Sequence, residues 1–331
     1  VRQVKDMGKL LIICGPTATG KTTVAVKLAK KIGGEIISAD SRQVYKGMDI
    51  GTGKDLQKDF KFKLSNLKLG NNKIGYYTNG KVKIWGYDLV SPSEEFSVAQ
   101  FVKFAKVVIN NIYKAKNLPI LVGGTGLYIK GVVDGIPTAV IPKNLSLRMS
   151  LEKKSVKELF ELLSKQDPVK SASLNSSDKK NPVRLVRAIE ISEWLRKGGI
   201  ISKQKDQRKK EEVLFIGLST NRKKLNSLIK KRVYKRLKKG FEKEVNSLLS
   251  SGVLWKHQSM QSLGYKQWKD VVDDHSESSD VIEDWVLEEC KYAKRQMTWF
   301  KKEKRLEWFD ISKFGYRKNV EKLVNSWYSS K

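Results

Sequence analysis

The sequence predicts an α/β fold, a parallel sheet with helices on both faces, and two observations carry that prediction. Short apolar runs recur at KLLIIC (9–14), GGEIISAD (33–40), NLPILVGGTG (117–126) and VLFIGL (213–218). Stretches of helical spacing separate them, TTVAVKLAKKIGG after the first and Ser97–Lys116 before the third. Strands covered on both sides read as unbroken apolar runs, and alternation of such strands with helices implies parallel pairing.

The first run leads into GPTATGKT, residues 15–22, and the following helix stops at Gly33. In G-x-x-x-x-G-K-T the glycines let backbone N–H groups approach an anion, the lysine adds a point charge and the threonine hydroxyl can ligate magnesium. Gly15, Pro16, Thr17, Ala18, Thr19, Gly20, Lys21 and Thr22 are therefore expected to cradle a phosphate chain, with Thr22 as the Mg2+ ligand. The sheet is then P-loop NTPase-like. Switch and motor ATPases place an Asp at the end of a later apolar strand to hold magnesium. Here LPILV ends in GGTG instead, and Asp88 of IWGYDLV follows an alternating strand, so hydrolysis is not expected.

Asp40 ends the strand after the glycine-loop helix, at the carboxyl edge where ligands of such sheets bind. A base acting on a second substrate fits that position, while loop ordering is the plainer alternative. Between 60 and 90, FKFKLSNLKL and GKVKIWGYDLV alternate apolar and polar residues around an Asn79-Gly80 turn, which predicts a β-hairpin insertion at about 58–90. Residues 142–207 read as a small helical insertion domain, dividing a core at 1–141 from a return to the sheet at 208–331. Long helices are expected over Arg222–Ser250 and from Val281 to about Arg305.

The formal charge of +31 makes a polyanion the leading partner, with a solvated lysine-rich surface as the rival. Between Lys203 and Lys239 there are fifteen Lys or Arg against three Asp or Glu, the pattern of a phosphate-tracking face. Two cysteines, Cys14 and Cys290, build neither a disulfide framework nor a zinc module, and suit a reducing cytoplasm. No run approaches the eighteen apolar residues of a membrane span, so no membrane association is expected.

With GPTATGKT, SADSRQVYKGMDIGTGK (38–54) and LPILVGGTGLYIKG (118–131), the sequence resembles the tRNA dimethylallyltransferase family. Further matching blocks are NPVRLVRAIEI (181–191), RVYKRLKKGFEKEV (232–245), SLGYKQ (262–267) and YAKRQMTWFKKE (292–303), so the likeness covers nearly the whole chain. The resemblance implies that the glycine loop holds dimethylallyl diphosphate, attacked by the N6 amine of an adenosine beside a tRNA anticodon. Asp40 would then take the amine proton, and Thr17 and Arg232 would meet the leaving diphosphate.

By the same resemblance Asp40, Ser41, Arg42, Gln43 and Thr125 would hold the adenosine, and Arg184, Arg187, Gly264, Tyr265 and Lys266 would touch the anticodon stem-loop. On the last long helix Lys291, Lys294, Arg295, Thr298, Lys301, Lys302 and Arg305 share a basic face, expected to be free for RNA, with Tyr292, Gln296 and Trp299 flanking it. Ile282, Val286, Cys290, Ala293, Met297 and Phe300 share the face expected to dock on the sheet. Two departures stand out. The family's His-His-Leu-Ile-Asp stretch is replaced by the hairpin and Gly86–Val90, and too few Cys and His are present for a C-terminal zinc finger, which favours a bacterial or organellar type. No protein partner is implied, and a monomer is expected. The rivals are an adenylate isopentenyltransferase acting on free AMP, ADP or ATP, and a P-loop kinase or RNA-binding NTPase.

Overall fold

The computed structural model describes residues 8–201, 211–273 and 277–330. The basic start of the chain and the first part of the charge run, 203–210, lie outside them. The described residues form two compact units, one from Val1–Asp134 with Arg208–Lys331 and one from Gly135–Gln207.

In chain order, β1 (Lys9–Cys14) enters the glycine loop and α1 (Lys21–Ile32), and β2 (Gly34–Ser38) follows. Then come β3 (Lys61–Leu69), β4 (Asn72–Thr78), β5 (Lys83–Trp85), α2 (Val98–Lys114), β6 (Leu118–Gly123) and α3 (Gly126–Val133). The smaller unit holds α4 (Leu145–Glu152), α5 (Val156–Gln166), α6 (Pro168–Ala172), α7 (Ser176–Lys179) and α8 (Pro182–Arg196). The chain returns through β7 (Glu212–Ser219), α9 (Arg222–Lys238), α10 (Phe241–Ser250), α11 (Tyr265–Asp273) and α12 (Ser278–Phe300), and finishes with β8 (Leu306–Asp310) and α13 (Tyr316–Ser329).

One eight-stranded sheet has the order β3-β4-β5-β2-β6-β1-β7-β8. β1 is its hub, parallel to β6 through Ile12↔Leu121 and to β7 through Ile12↔Phe215. Alternation along β1 feeds two cores. Leu10 and Ile12 pack with Phe101, Phe104 and Val108 of α2, whereas Leu11 and Ile13 pack with Val24 and Leu28 of α1 and with Val320 and Val324 of α13. A capping box between Ser97 and Gln100 starts α2, and Gly33, at φ 67, stops α1.

The expected hairpin is a three-stranded meander. β3 turns at Gly70–Asn71 into β4, and Asn79–Gly80 joins β4 to β5, which pairs antiparallel with β4 and parallel with β2. β5 is thus a core strand despite its alternating sequence, with Ile84 and Trp85 buried. Asp88, three residues beyond it, is bound by Lys54 and Tyr77. The helical stretch over Arg222–Ser250 is two helices, broken at Gly240 (φ 94). β8 was not expected: Glu307 and Trp308 are exposed along the sheet edge, so its apolar signal is weak. In the smaller unit, Leu159 and Leu163 of α5 pack with Leu185 and Ile189 of α8. Arg148 and the Asn144 N–H donate to the buried Glu190 beneath them. Among the described residues no helix is long and apolar enough to cross a membrane.

Candidate active site

The glycine loop is held at both ends. At its start a side chain on Gly15 would collide with the Leu218 carbonyl of β7, so only glycine lets the loop leave the sheet so closely. Within it, the Thr19 hydroxyl donates to the Pro16 carbonyl at 2.9 Å and Lys21 Nζ donates to the same oxygen at 2.7 Å. The Thr17 N–H donates to Gln296 Oε1 of α12 at 2.9 Å, and Gln296 Nε2 donates to the Gly124 carbonyl after β6 at 3.0 Å. Gln296 therefore straps the loop to the neighbouring strand end.

Arg232 of α9 reaches across. Its Nη1 donates to Thr17 Oγ1 at 2.8 Å, and its Nη2 donates to the Gly53 carbonyl at 3.1 Å. A Cβ on Gly53, at φ 66, would occupy the space of that guanidinium. Burial pushes the Lys21 ammonium down to about 8, with Arg232 adding to the shift and Asp40 opposing it. A bound anion would oppose that shift. Lys21 should therefore take up a proton when sulfate, an anion that does not itself titrate in this range, binds above pH 8, and affinity should fall as pH rises from there. Calorimetry in buffers of different ionisation enthalpy measures that uptake, which should vanish below about pH 7.

Asp40 stands two residues beyond β2. Its Oδ1 accepts from the Arg42 N–H at 2.9 Å, the Ser41 N–H donates to Thr125 Oγ1 at 3.1 Å, and the Thr125 N–H donates to the Ala39 carbonyl at 3.2 Å. These bonds tie the ends of β2 and β6 together. Burial, helped by the Asp40 charge, pushes the phenol of Tyr292 on α12 up to about 12. One open cavity of about 800 Å³ is lined by Thr17, Lys21, Thr22, Asp40, Arg232 and Tyr292, among others. Lys27 and Lys30 of α1, Lys231 and Lys235 of α9 and Lys239 just beyond it give its wall a basic character.

The loop from Asp49 to Asp55 carries Gly53, and Glu244 of α10 fixes it. That carboxylate accepts from the N–H groups of Asp49 (2.8 Å), Ile50 (2.7 Å) and Gly51 (2.9 Å), and from the Tyr265 hydroxyl. The buried Lys54 ammonium adds Asp49 at 2.6 Å, Asp88 and the Tyr45 carbonyl at 2.8 Å. Asp88 thus serves Lys54. Glu244→Ala would leave three backbone donors and a phenol without their acceptor, at an expected cost of about 2–3 kcal/mol in a urea unfolding titration.

Several of the residues expected to contact RNA are engaged within the fold. Gln43 is buried on the cavity wall, with Nε2 donating to the Gly53 carbonyl at 3.0 Å and Oε1 accepting from the Ser38 hydroxyl at 2.8 Å, so both ends of its amide are bonded within the fold. Gln296 is buried as the strap. Trp299 packs against Gly126 and the main core, edge-on to Phe300. Tyr265 is fully buried, and a side chain on Gly264 would strike Trp285. Arg187 donates to the carbonyls of Thr138 (2.8 Å) and Ile141 (2.9 Å) and pairs with Glu190. Lys266, Lys294, Arg295 and Lys301 are exposed, as is Arg184, which pairs with Asp178, while Arg42 donates to the Gln258 carbonyl at 2.8 Å. The buried face of α12 is Val281, Trp285, Glu289, Ala293, Gln296 and Phe300, rotated from the apolar face read in the sequence. Ile282, Val286, Cys290 and Met297 are half-buried beside it. Arg305, read as part of the basic face, binds Asp134 and Glu303. Sequence reasoning missed Glu244 altogether and read Gln296 as a surface contact, because a single polar side chain in a helix carries no signal of its partner.

A phosphate cradle, a carboxylate on the adjoining strand end and an arginine from a distant helix, all facing one cavity, define a P-loop phosphate-binding protein with room for a second substrate. Comparison with known proteins narrows the class. The IPP transferase family model matches residues 43–303, and the isopentenyl transferase model matches 8–72. The tRNA dimethylallyltransferase of Anoxybacillus flavithermus is 36% identical over 312 residues, 92% of this chain and 91% of that protein. That of Carboxydothermus hydrogenoformans is 36% identical over 324 residues, 96% of each. The full-length tRNA isopentenylpyrophosphate transferase of Bacillus halodurans superposes with a TM-score of 0.66 at 32% identity, over 96% of each chain. A eukaryotic dimethylallyltransferase crystallised in action on tRNA shares the fold, with a TM-score of 0.75 at 22% identity. The chain belongs to the tRNA dimethylallyltransferase family.

Proposed function

We propose that the protein transfers the dimethylallyl group of dimethylallyl diphosphate to N6 of the adenosine immediately 3′ of the anticodon in certain tRNAs, releasing diphosphate. The observation that carries this reading is the convergence of the glycine loop, Asp40 and Arg232 on one cavity. The C–O bond to the diphosphate breaks as the N6–C bond forms, and Asp40 accepts the amine proton. Lys21, the loop amides, the Thr17 hydroxyl and Arg232 receive the charge that develops on the leaving group, so no phosphoanhydride need be cut.

Magnesium fits this site as a companion of the diphosphate, with the Thr22 hydroxyl as the protein group that would hold it. Among the described residues no group of three or more His, Cys, Asp or Glu gathers to hold a metal, and Thr22 offers a single hydroxyl to the cavity. When bound, the ion would offset diphosphate charge. The adenine must leave its stack to reach Asp40, and Ser41 and Thr125 stand beside its path. The basic cavity wall and the exposed Lys266, Lys294, Arg295 and Lys301 suit the anticodon stem-loop, and Arg184 gives the smaller unit its own cationic contact. A monomer acting on tRNA in the cytoplasm agrees with this role.

The test is to incubate the protein with magnesium, dimethylallyl diphosphate and either unmodified tRNA or AMP, and to analyse the nucleosides by mass. Prenylated adenosine in tRNA is expected. Prenylated AMP alone would point to an adenylate isopentenyltransferase, and ATP consumption alone to a kinase or NTPase.

A further inference from the structure

The segment that replaces the family's His-His-Leu-Ile-Asp stretch has a surface the reaction does not use. From Lys58 to Lys83 it carries seven lysines, at 58, 61, 63, 68, 73, 81 and 83, against one acid, Asp59. Among the described residues Lys83 alone of the seven has an acidic partner, Glu35 at 3.0 Å. β3 is the edge of the sheet, and Lys61, Phe62, Lys63 and Leu64 are all exposed on it.

Lysines on an edge strand can serve simply to keep other strands away. That role does not account for the rest. Phe62 is 46% exposed and Leu64 64% exposed, apolar groups that a guarded edge would hide. The Phe62 ring is also held in place: it lies across Gly75, where any Cβ would strike it, and meets Tyr77 edge-on with centroids 5.4 Å apart. Strand alternation and register set Phe62 on one face with the exposed Lys68 and Lys73, and Lys61 with Lys63 on the other. A fixed, half-exposed aromatic ring sharing its face with unpaired lysines is the arrangement that binds an unstacked base and its phosphates. The root of the hairpin is continuous with the reaction cavity, since Leu56, Gln57 and Phe60 line it together with Asp40 and the glycine loop. The nine residues of β3 extend the cationic surface from there by roughly 30 Å.

We propose that the β3–β4 hairpin is an added docking surface for the substrate RNA, with the lysines following the phosphate backbone and Phe62 taking an unpaired base. It rests on the reading of the protein as a tRNA-modifying enzyme. The chemistry stays at Asp40 and the glycine loop, and the hairpin raises affinity for an RNA too large for the cavity alone.

The test is a double charge reversal, Lys68→Glu with Lys73→Glu, beside Phe62→Ala, assayed on the full chain with tRNA and with dimethylallyl diphosphate. Both lysines are exposed, so the double variant reads binding and not folding. For that variant KM for tRNA should rise on the order of tenfold, and the slope of log affinity against log salt should shrink by about 1–2. The kcat at saturating tRNA and the KM for dimethylallyl diphosphate should stay within about twofold. For Phe62→Ala, KM should rise severalfold with the salt slope unchanged. A tRNA KM and salt slope equal to wild type in the double variant would overturn the proposal while leaving the function intact. Wild-type protein that prenylates AMP but no tRNA would overturn the functional reading itself.

Discussion

Asp40→Asn is expected to lower the rate of prenyl transfer by about 10²–10⁴-fold while tRNA affinity stays within about twofold. The substitution is nearly isosteric. An asparagine Oδ1 can still accept from the Arg42 N–H, and the Ser41–Thr125 bond does not involve the Asp40 side chain, so the strand end should keep its shape. What is lost is the capacity to take a proton from an exocyclic amine whose lone pair is delocalised into the purine. Single-turnover transfer measured by mass, beside fluorescence anisotropy of labelled tRNA, separates the two effects. A fall in binding with little change in the chemical step would reassign Asp40 to ordering the loop.

Arg232→Ala is expected to cost about 10²–10³-fold in kcat, the usual consequence of removing one donor aimed at developing charge. Nη1 on Thr17 and Nη2 on Gly53 hold the guanidinium between the glycine loop and the loop opposite, where an anion in the cradle would meet it. Arg232→Lys should recover only part of the loss, because an ammonium cannot keep both contacts in the same plane. Should the whole effect appear in KM for tRNA, with transfer from bound donor unchanged, Arg232 would belong to the RNA surface and not to the departing diphosphate.

The elements at the centre of the sheet were legible because burial on both faces leaves a run such as LLIIC no polar alternation to confuse. The margins were not. The hairpin was placed around Asn79–Gly80, a strong turn signal, so the strand Asn72–Thr78 and the bend at Gly70–Asn71, which sits in a polar stretch, went unread. β5 alternates like a half-exposed strand yet lies inside the sheet, because Lys83 reaches Glu35 and keeps its ammonium near the surface. In the site, the glycine loop and Asp40 followed from motif and strand end. The roles of Gln43, Glu289 and Gln296 did not, since periodicity counts apolar residues and these are polar groups buried with partners: Ser38 and Gly53 for the first, Arg236 for the second, Thr17 and Gly124 for the third.

The break at Gly240 closes a mechanical circuit. α9 sends Arg232 to the carbonyl of Gly53, α10 sends Glu244 to the amides of Asp49, Ile50 and Gly51, and the same short loop is gripped from both sides of one helical corner. Side-chain exchanges elsewhere on α9 and α10 leave that circuit whole, but one residue inserted or deleted between Arg232 and the corner, or between the corner and Glu244, would turn one of the two side chains by about 100° about its helix and open it. This stretch of chain should therefore tolerate drift in composition and almost none in length.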